Sequence, residues 1–195
     1  VQEGHLKFYV YDIITRQKVN KIDLTKEFDQ VQDMKYMLNA NTLLLSAVKN
    51  GHTDIYTYDI QKEKARAVTN DVYDDLDASF VAFPNKTGII FASNRPYGNA
   101  RGGDTSLPSD RRYNIFLVTD FGDKPELNQI TQLTHMKYGD ARMPMQYNET
   151  HFTFVCDENG ISNRYAGFFT STALLGLPVL VLVALAARAQ RVKIE

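Results

Sequence analysis

The segment from Asp77 to Asp120 constrains the fold more than any other, because most of the remaining chain repeats it. An alternating run, Ala78 to Phe83, meets the turn Pro84-Asn85-Lys86-Thr87-Gly88. A second apolar run covers Ile89 to Ser93, and after a polar loop a third covers Asn114 to Thr119. Period-two alternation and short apolar runs bounded by Pro, Asn and Gly predict three strands joined by turns.

The same order occurs upstream: Met34 to Leu38, the turn Asn39-Ala40-Asn41, Thr42 to Val48, the turn Lys49-Asn50-Gly51, then Asp54 to Asp59. It occurs again downstream in Ala141 to Tyr147, the turn Asn148-Glu149-Thr150, His151 to Asp157, Glu158-Asn159-Gly160, and Asn163 to Tyr165. Ser46 and Ser93 are 47 residues apart, as are Asp12 and Asp59. Asp59 and Asp120 are 61 apart, and removing a 14-residue insertion, Asn99 to Arg112, restores the period. A fixed repeat of this length built of short strands is the sequence sign of propeller blades.

The apolar strand, the Pro/Asn turn, the run Ile89-Ile90-Phe91-Ala92-Ser93-Asn94-Arg95 and the run Asn114-Ile115-Phe116-Leu117-Val118-Thr119-Asp120 resemble the WD-like propeller repeat of the TolB family. The likeness spans Leu6 to Phe169 and is nearest to long periplasmic or outer-membrane-associated repeat proteins of Bacteroidetes-type bacteria. It implies an all-β partial propeller of three to four four-stranded blades over residues 1–169, in an extracytoplasmic compartment. A partial first blade would be formed by His5 to Asp12 and Lys18 to Leu24. Complete blades would run from about Gln30 to Thr69 and from Asp74 to Thr134, and a third would begin at Met136. Closed propellers use roughly four to eight blades, so the remaining blades would come from the parent protein or another chain.

Residues 170–195 break the pattern. Thr170 to Ala187 are uncharged, and Arg188, Arg191 and Lys193 follow. An apolar helix with a basic flank is expected here. It meets the minimum for a single membrane span with a cytoplasmic C-terminus, although Pro178 would kink it and the strictly apolar part is short. A helix packed against the propeller and a tail foreign to the repeat domain are the other readings. The chain starts at Val1, with no Met and no leader pattern, which fits either a processed signal peptide or a fragment.

Composition narrows the partners. The 195 residues, 44% of them hydrophobic, are enough to bury a core. A net charge of -1 argues against a nucleic-acid partner held through phosphates. Cys156, the single cysteine, lies in an apolar run and reads as an inert buried thiol, which leaves the redox compartment open.

No catalytic set emerges. There is no Gly-x-Ser-x-Gly elbow, and His5, His52, His135 and His151 lack metal-binding or catalytic spacing. No cofactor is implied. The acidic run Asp71, Asp74, Asp75 and Asp77 offers three readings: a calcium site, the polar rim of a central channel or partner contact, and a solvated loop. The run lacks the Gly-bearing calcium-loop pattern, and no metal site is assigned. Arg95, Arg101, Arg111 and Arg112, at and around the insertion, suggest a surface for an anionic partner, since binding often resides on loops inserted in a regular scaffold. The charged run Lys62 to Arg66 reads as a solvated edge strand. Asp54, Asn114 and Asn163 read as turn caps.

The resemblance implies a non-catalytic extracytoplasmic module for protein–protein interaction or scaffolding. Two alternatives stand beside it. One is an accessory propeller of a prolyl-oligopeptidase-type serine peptidase with its catalytic domain elsewhere. The other is a membrane-tethered ligand- or carbohydrate-binding propeller.

Overall fold

The computed structural model describes residues 4–84, 87–100 and 112–169. The fold is all-β: thirteen strands in four antiparallel sheets, with one 3₁₀ turn at Pro125–Leu127 and no α-helix among the described residues. The first sheet pairs β1 (Lys7–Asp12) with β2 (Gln17–Asp23). The second runs β3 (Gln30–Tyr36), β4 (Thr42–Lys49), β5 (His52–Asp59) and β6 (Lys64–Ala67) in chain order. The third repeats that order with β7 (Asp75–Ala82), β8 (Thr87–Ser93), β9 (Asn114–Val118) and β10 (Ile130–Gln132). The fourth holds β11 (Ala141–Gln146), β12 (His151–Cys156) and β13 (Asn163–Phe168). The apolar helix expected within 170–195 lies outside the described residues. Among the described residues no helix is long and apolar enough to cross a membrane.

Side-chain alternation explains why the sheets pack face to face in sequence. Successive residues of a strand point to opposite faces, and β4 is apolar on both. Leu43, Leu45 and Ala47 pack against Ile22 and Leu24 of the first sheet region, together with Tyr56 and Tyr58. Leu44 faces the other way, into a core with Ile89, Phe91, Phe116 and Val118 of the third sheet. The third sheet divides its residues likewise: Ile90, Ala92, Ile115 and Leu117 meet Phe152, Phe154 and Cys156 of the fourth. A near-continuous apolar run is what a strand buried on both faces requires. Aromatic pairs fill the seams, among them Phe28–Tyr56 at 4.8 Å between centroids and Phe83–Phe169 at 5.0 Å, both edge to face.

The repeat is also visible in hydrogen bonds. In the second sheet the Thr69 hydroxyl accepts from the Ile55 N–H at 2.9 Å, while Val68 and Thr69 N–H both donate to the Ile55 carbonyl. In the third, the Thr134 hydroxyl accepts from the Ile115 N–H at 2.8 Å, and Leu133 and Thr134 N–H donate to the Ile115 carbonyl. The segment after the fourth strand is thus clasped to the start of the third. The Asp12 carboxylate accepts from Ile14 and Thr15 N–H, and the Asp59 carboxylate accepts from Gln61 and Lys62 N–H, closing equivalent Asx turns.

The first strand of each of the three later sheets carries a register shift, between Val31 and Asp33, Leu76 and Ser79, and Arg142 and Met145. At two of these bulges a non-glycine residue is left-handed, Asp77 at φ 57° and Met143 at φ 52°. A bulge re-aims side chains and bends the strand, and here it turns Asp77 toward the neighbouring sheet.

Candidate functional site

The most concentrated chemistry lies where the loop entering β7 meets the end of β8. Arg95 follows Ser93, whose hydroxyl accepts from the arginine Nε at 2.9 Å and from its backbone N–H at 3.2 Å. From this anchor Nη2 donates to both oxygens of Asp75, at 2.8 and 2.6 Å, and lies 3.2 Å from an Asp71 oxygen. Neither Arg95 nor Asp75 exposes any of its side chain. The guanidinium carbon stands 5.6 Å from the centroids of the Tyr73 and Phe91 rings and 5.7 Å from that of Phe116, close enough for cation–π attraction. Arg95 Nη1 is buried and has no hydrogen-bond partner.

Asp54, at the start of β5, completes the cluster by accepting from the Asp71 N–H at 3.3 Å. Burial, and then the charges of Asp75 and Asp71, push its carboxyl up to about 7. Asp71 is raised as well, by burial and then by Asp75, with Arg95 opposing. One oxygen each from Asp54, Asp71 and Asp75 lie within 4.8 Å of one another, a spacing that a cation could bridge. The guanidinium already occupies that role, because two of the three carboxylates contact its Nη2 directly. Its own charge repels a second cation at hydrogen-bond range.

The predicted site residues part company here. Asp74 borders the cluster: its N–H donates to Asn94 Oδ1 at 2.9 Å, and Asn94 Nδ2 lies 3.4 Å from its carboxylate. Asp75 and Arg95 point inward and neutralise each other, so neither forms part of an exposed rim or an anion-attracting surface. Asp77 lies apart, accepting from Arg142 Nε at 2.6 Å and from the Met143 N–H at 3.0 Å across the boundary between the third and fourth sheets. Burial works to raise Asp77, but the Arg142 hydrogen bond, the Met143 N–H and the Arg142 charge outweigh it and hold the carboxyl below its ordinary value. Arg112 donates to the Lys137 carbonyl and stacks 5.6 Å from the Tyr138 ring centroid. Arg101 and Arg111 lie outside the described residues, as does the run Thr170 to Ala187.

Asp54, read from sequence as a turn cap, does cap the chain at Asp71 and also belongs to the charged cluster. Asn114 has the equivalent place in the third sheet, accepting from Met136 N–H at 2.8 Å and Thr134 Oγ1 at 3.0 Å. Sequence reasoning missed Arg142, whose partner is 65 residues away. Cys156 is fully buried, and burial raises its thiol further. His151 Nδ1 lies 2.8 Å from Thr150 Oγ1 and 3.0 Å from Asn148 Oδ1, within the turn that precedes β12.

A cavity of about 430 Å³ opens beside the cluster, bordered by Arg95, Asp71, His52, Asn70, Asn99 and Glu126, with Val72, Ala100, Pro125 and Ile130 as its apolar wall. A larger hollow of about 600 Å³ along β5 and β6 is lined by Lys62, Lys64, Arg66 and Asp123 and holds no buried charge.

No protein-family model and no curated protein matches the chain. Among solved structures, hydrazine synthase of Kuenenia stuttgartiensis is similar in fold, with a TM-score of 0.58 at 14% identity. The match covers 85% of this chain and 27% of that one, so the chain spans about a quarter of the length of the structure it resembles. At this identity the likeness concerns fold alone.

Proposed function

We propose that the four sheets are successive blades of a TolB-like propeller, and that the chain is a non-catalytic, extracytoplasmic module that meets a protein partner along the inner face of those blades. The observation behind this reading is the convergence of the first strands. Lys35 of β3 donates from Nζ to the Ala78 carbonyl at 3.0 Å and to Ser79 Oγ at 2.9 Å, tying β3 to β7. Arg142 and Gln146 of β11 reach Asp77 and Ala82 of β7. Equivalent strands of three sheets therefore line one surface, with a groove of about 530 Å³ between them that includes Asp77, Met143, Pro144 and Met145.

Gln32, Asp33, Lys35, Asp77 and Arg164 line this groove together with the solvent-exposed Met143 and Met145. Flexible methionines among polar groups adapt to partner surfaces. The remaining blades of a ring, or a separate protein, are the partners that such a face would take. The 47-residue period and the sheet order support the same reading.

The test is co-purification from a cell-envelope fraction with the parent protein carrying Met143→Glu and Met145→Glu together. Loss of a partner captured by the unmodified protein, with an unchanged thermal midpoint, is expected. Capture that survives both charges would remove the inner face from consideration.

A further inference from the structure

We propose that the outer edge of β13 pairs with the same edge of a second copy of this chain, joining two fourth sheets into one continuous antiparallel sheet. The first observation is where the backbone groups of β13 point. In the second sheet β6 covers the third strand, β5, whereas in the fourth sheet no described strand lies beyond β13. The Phe169 N–H donates to the Thr150 carbonyl at 2.8 Å, and β12 pairs with β13 in one unbroken register. Backbone groups alternate in direction along a strand. Those of Tyr165 and Gly167 therefore also point to β12, while the N–H and C=O of Arg164, Ala166 and Phe168 point away from it. The equivalent places in the second sheet are taken: the Val68 N–H donates to the Ile55 carbonyl at 2.8 Å, and Thr57 and Asp59 pair with Arg66 and Lys64. A row of such donors and acceptors is a template for an added strand.

Any strand could make those bonds, and the side chains select a second copy. Set antiparallel to itself about Ala166, β13 places Arg164 opposite Phe168 of the second copy and Tyr165 opposite its Gly167. Arg164, Ala166 and Phe168 are all exposed. An arginine is attracted to the face of an aromatic ring, and the two-fold axis makes this contact twice. Ala166 lets the strands approach at the axis, and Gly167 leaves room beside Tyr165. Arg164 Nη1 lies 3.3 Å from Thr153 Oγ1, which holds the side chain on the face that the incoming ring would share. The outer strands β2 and β6 instead carry Lys18 and Lys21, and Lys64 and Arg66, the charges typical of edges that stay unpaired. A contact of one patch with itself closes at two copies. Because β12 separates β13 from β11, pairing here leaves the inner face open and does not depend on what binds there.

The experiment is sedimentation equilibrium of the full chain across a concentration series, with amide hydrogen exchange followed residue by residue. A reversible monomer–dimer equilibrium is expected, and the amides of Arg164, Ala166 and Phe168 should exchange more slowly as the dimer fills, while that of Gly167 is protected throughout. Phe168→Arg sets two arginines opposite each other, and Ala166→Pro removes an outward N–H that the β12 ladder does not use. Each should weaken the dimer by about tenfold or more, with the exchange protection of β12 unchanged. A monomer at every concentration, a dimer of undiminished strength in both variants, or edge amides already protected in the monomer, which would mean that another segment of the chain covers β13, would each overturn the proposal.

Discussion

Arg95 gives both oxygens of Asp75 a hydrogen bond from a single nitrogen, at 2.8 and 2.6 Å, and neither side chain reaches solvent. Removing one partner strands the other charge. Arg95→Met should therefore destabilise the chain by about 3–5 kcal/mol, whereas Arg95→Met with Asp75→Leu should recover part of that loss, because apolar replacements of a buried pair are often neutral but Asp71 still loses its counter-charge. Urea unfolding of the two variants checks this. Equal destabilisation would mean that the pair does not act as a unit.

Asp54 gives stability a pH dependence of a definite sign. Its folded value, about 7, lies above the ordinary 3.8, so between those values the native state binds more protons than the unfolded chain. Stability is then fullest below about pH 4 and falls as pH rises toward 7, by up to ~1.4 kcal/mol per pH unit. Asp71 is shifted the same way and adds to the trend. Thermal midpoints between pH 4 and 8 should decline less steeply in Asp54→Asn, which keeps the acceptor for the Asp71 N–H. Parallel declines would show that another group carries the effect.

The threonine clasps are expected to be interchangeable in strength. Thr134→Val leaves the Ile115 N–H without its side-chain acceptor, and Thr69→Val does the same to Ile55. Each should cost about 1–3 kcal/mol, the usual penalty for orphaning a buried polar group. Denaturant midpoints of the single and double variants measure this, and well-separated sites should add.

Gly98 permits a close approach of chains. A Cβ built there would overlap the carbonyl group of Ile130, so the backbone of β10 must move to accept a side chain. Gly98→Ala should lower the thermal midpoint, while Gly122→Ala, where a Cβ meets nothing within 4 Å, should not. Equal behaviour of the two would show that the loop yields freely.

The strands were legible because their residues obey two simple constraints at once. Thr42 to Val48, Ile89 to Ser93 and Asn114 to Thr119 are apolar on both faces and bounded by turn formers, and β4, β8 and β9 occupy those segments within a residue or two. The last strand of the third sheet is short, Ile130–Gln132, and follows a 3₁₀ turn at Pro125–Leu127 where Pro125 sets a helical φ. The first strands began earlier than expected, at Gln30 and Asp75, because bulges allow polar residues to remain in register. The buried cluster was less legible. Asp75 and Arg95 are 20 residues apart, and only the pairing of β7 with β8 brings them together. A run of acidic residues looks solvated in sequence until its counter-charge is placed.

The alternating leucines of β4 bear on how this chain comes apart. Leu44 belongs to one seam and Leu43 and Leu45 to the next, so melting one sheet strips the cover from both neighbours. Modular in plan, the molecule should nonetheless lose its two middle sheets in a single step, with fraying confined to its two ends.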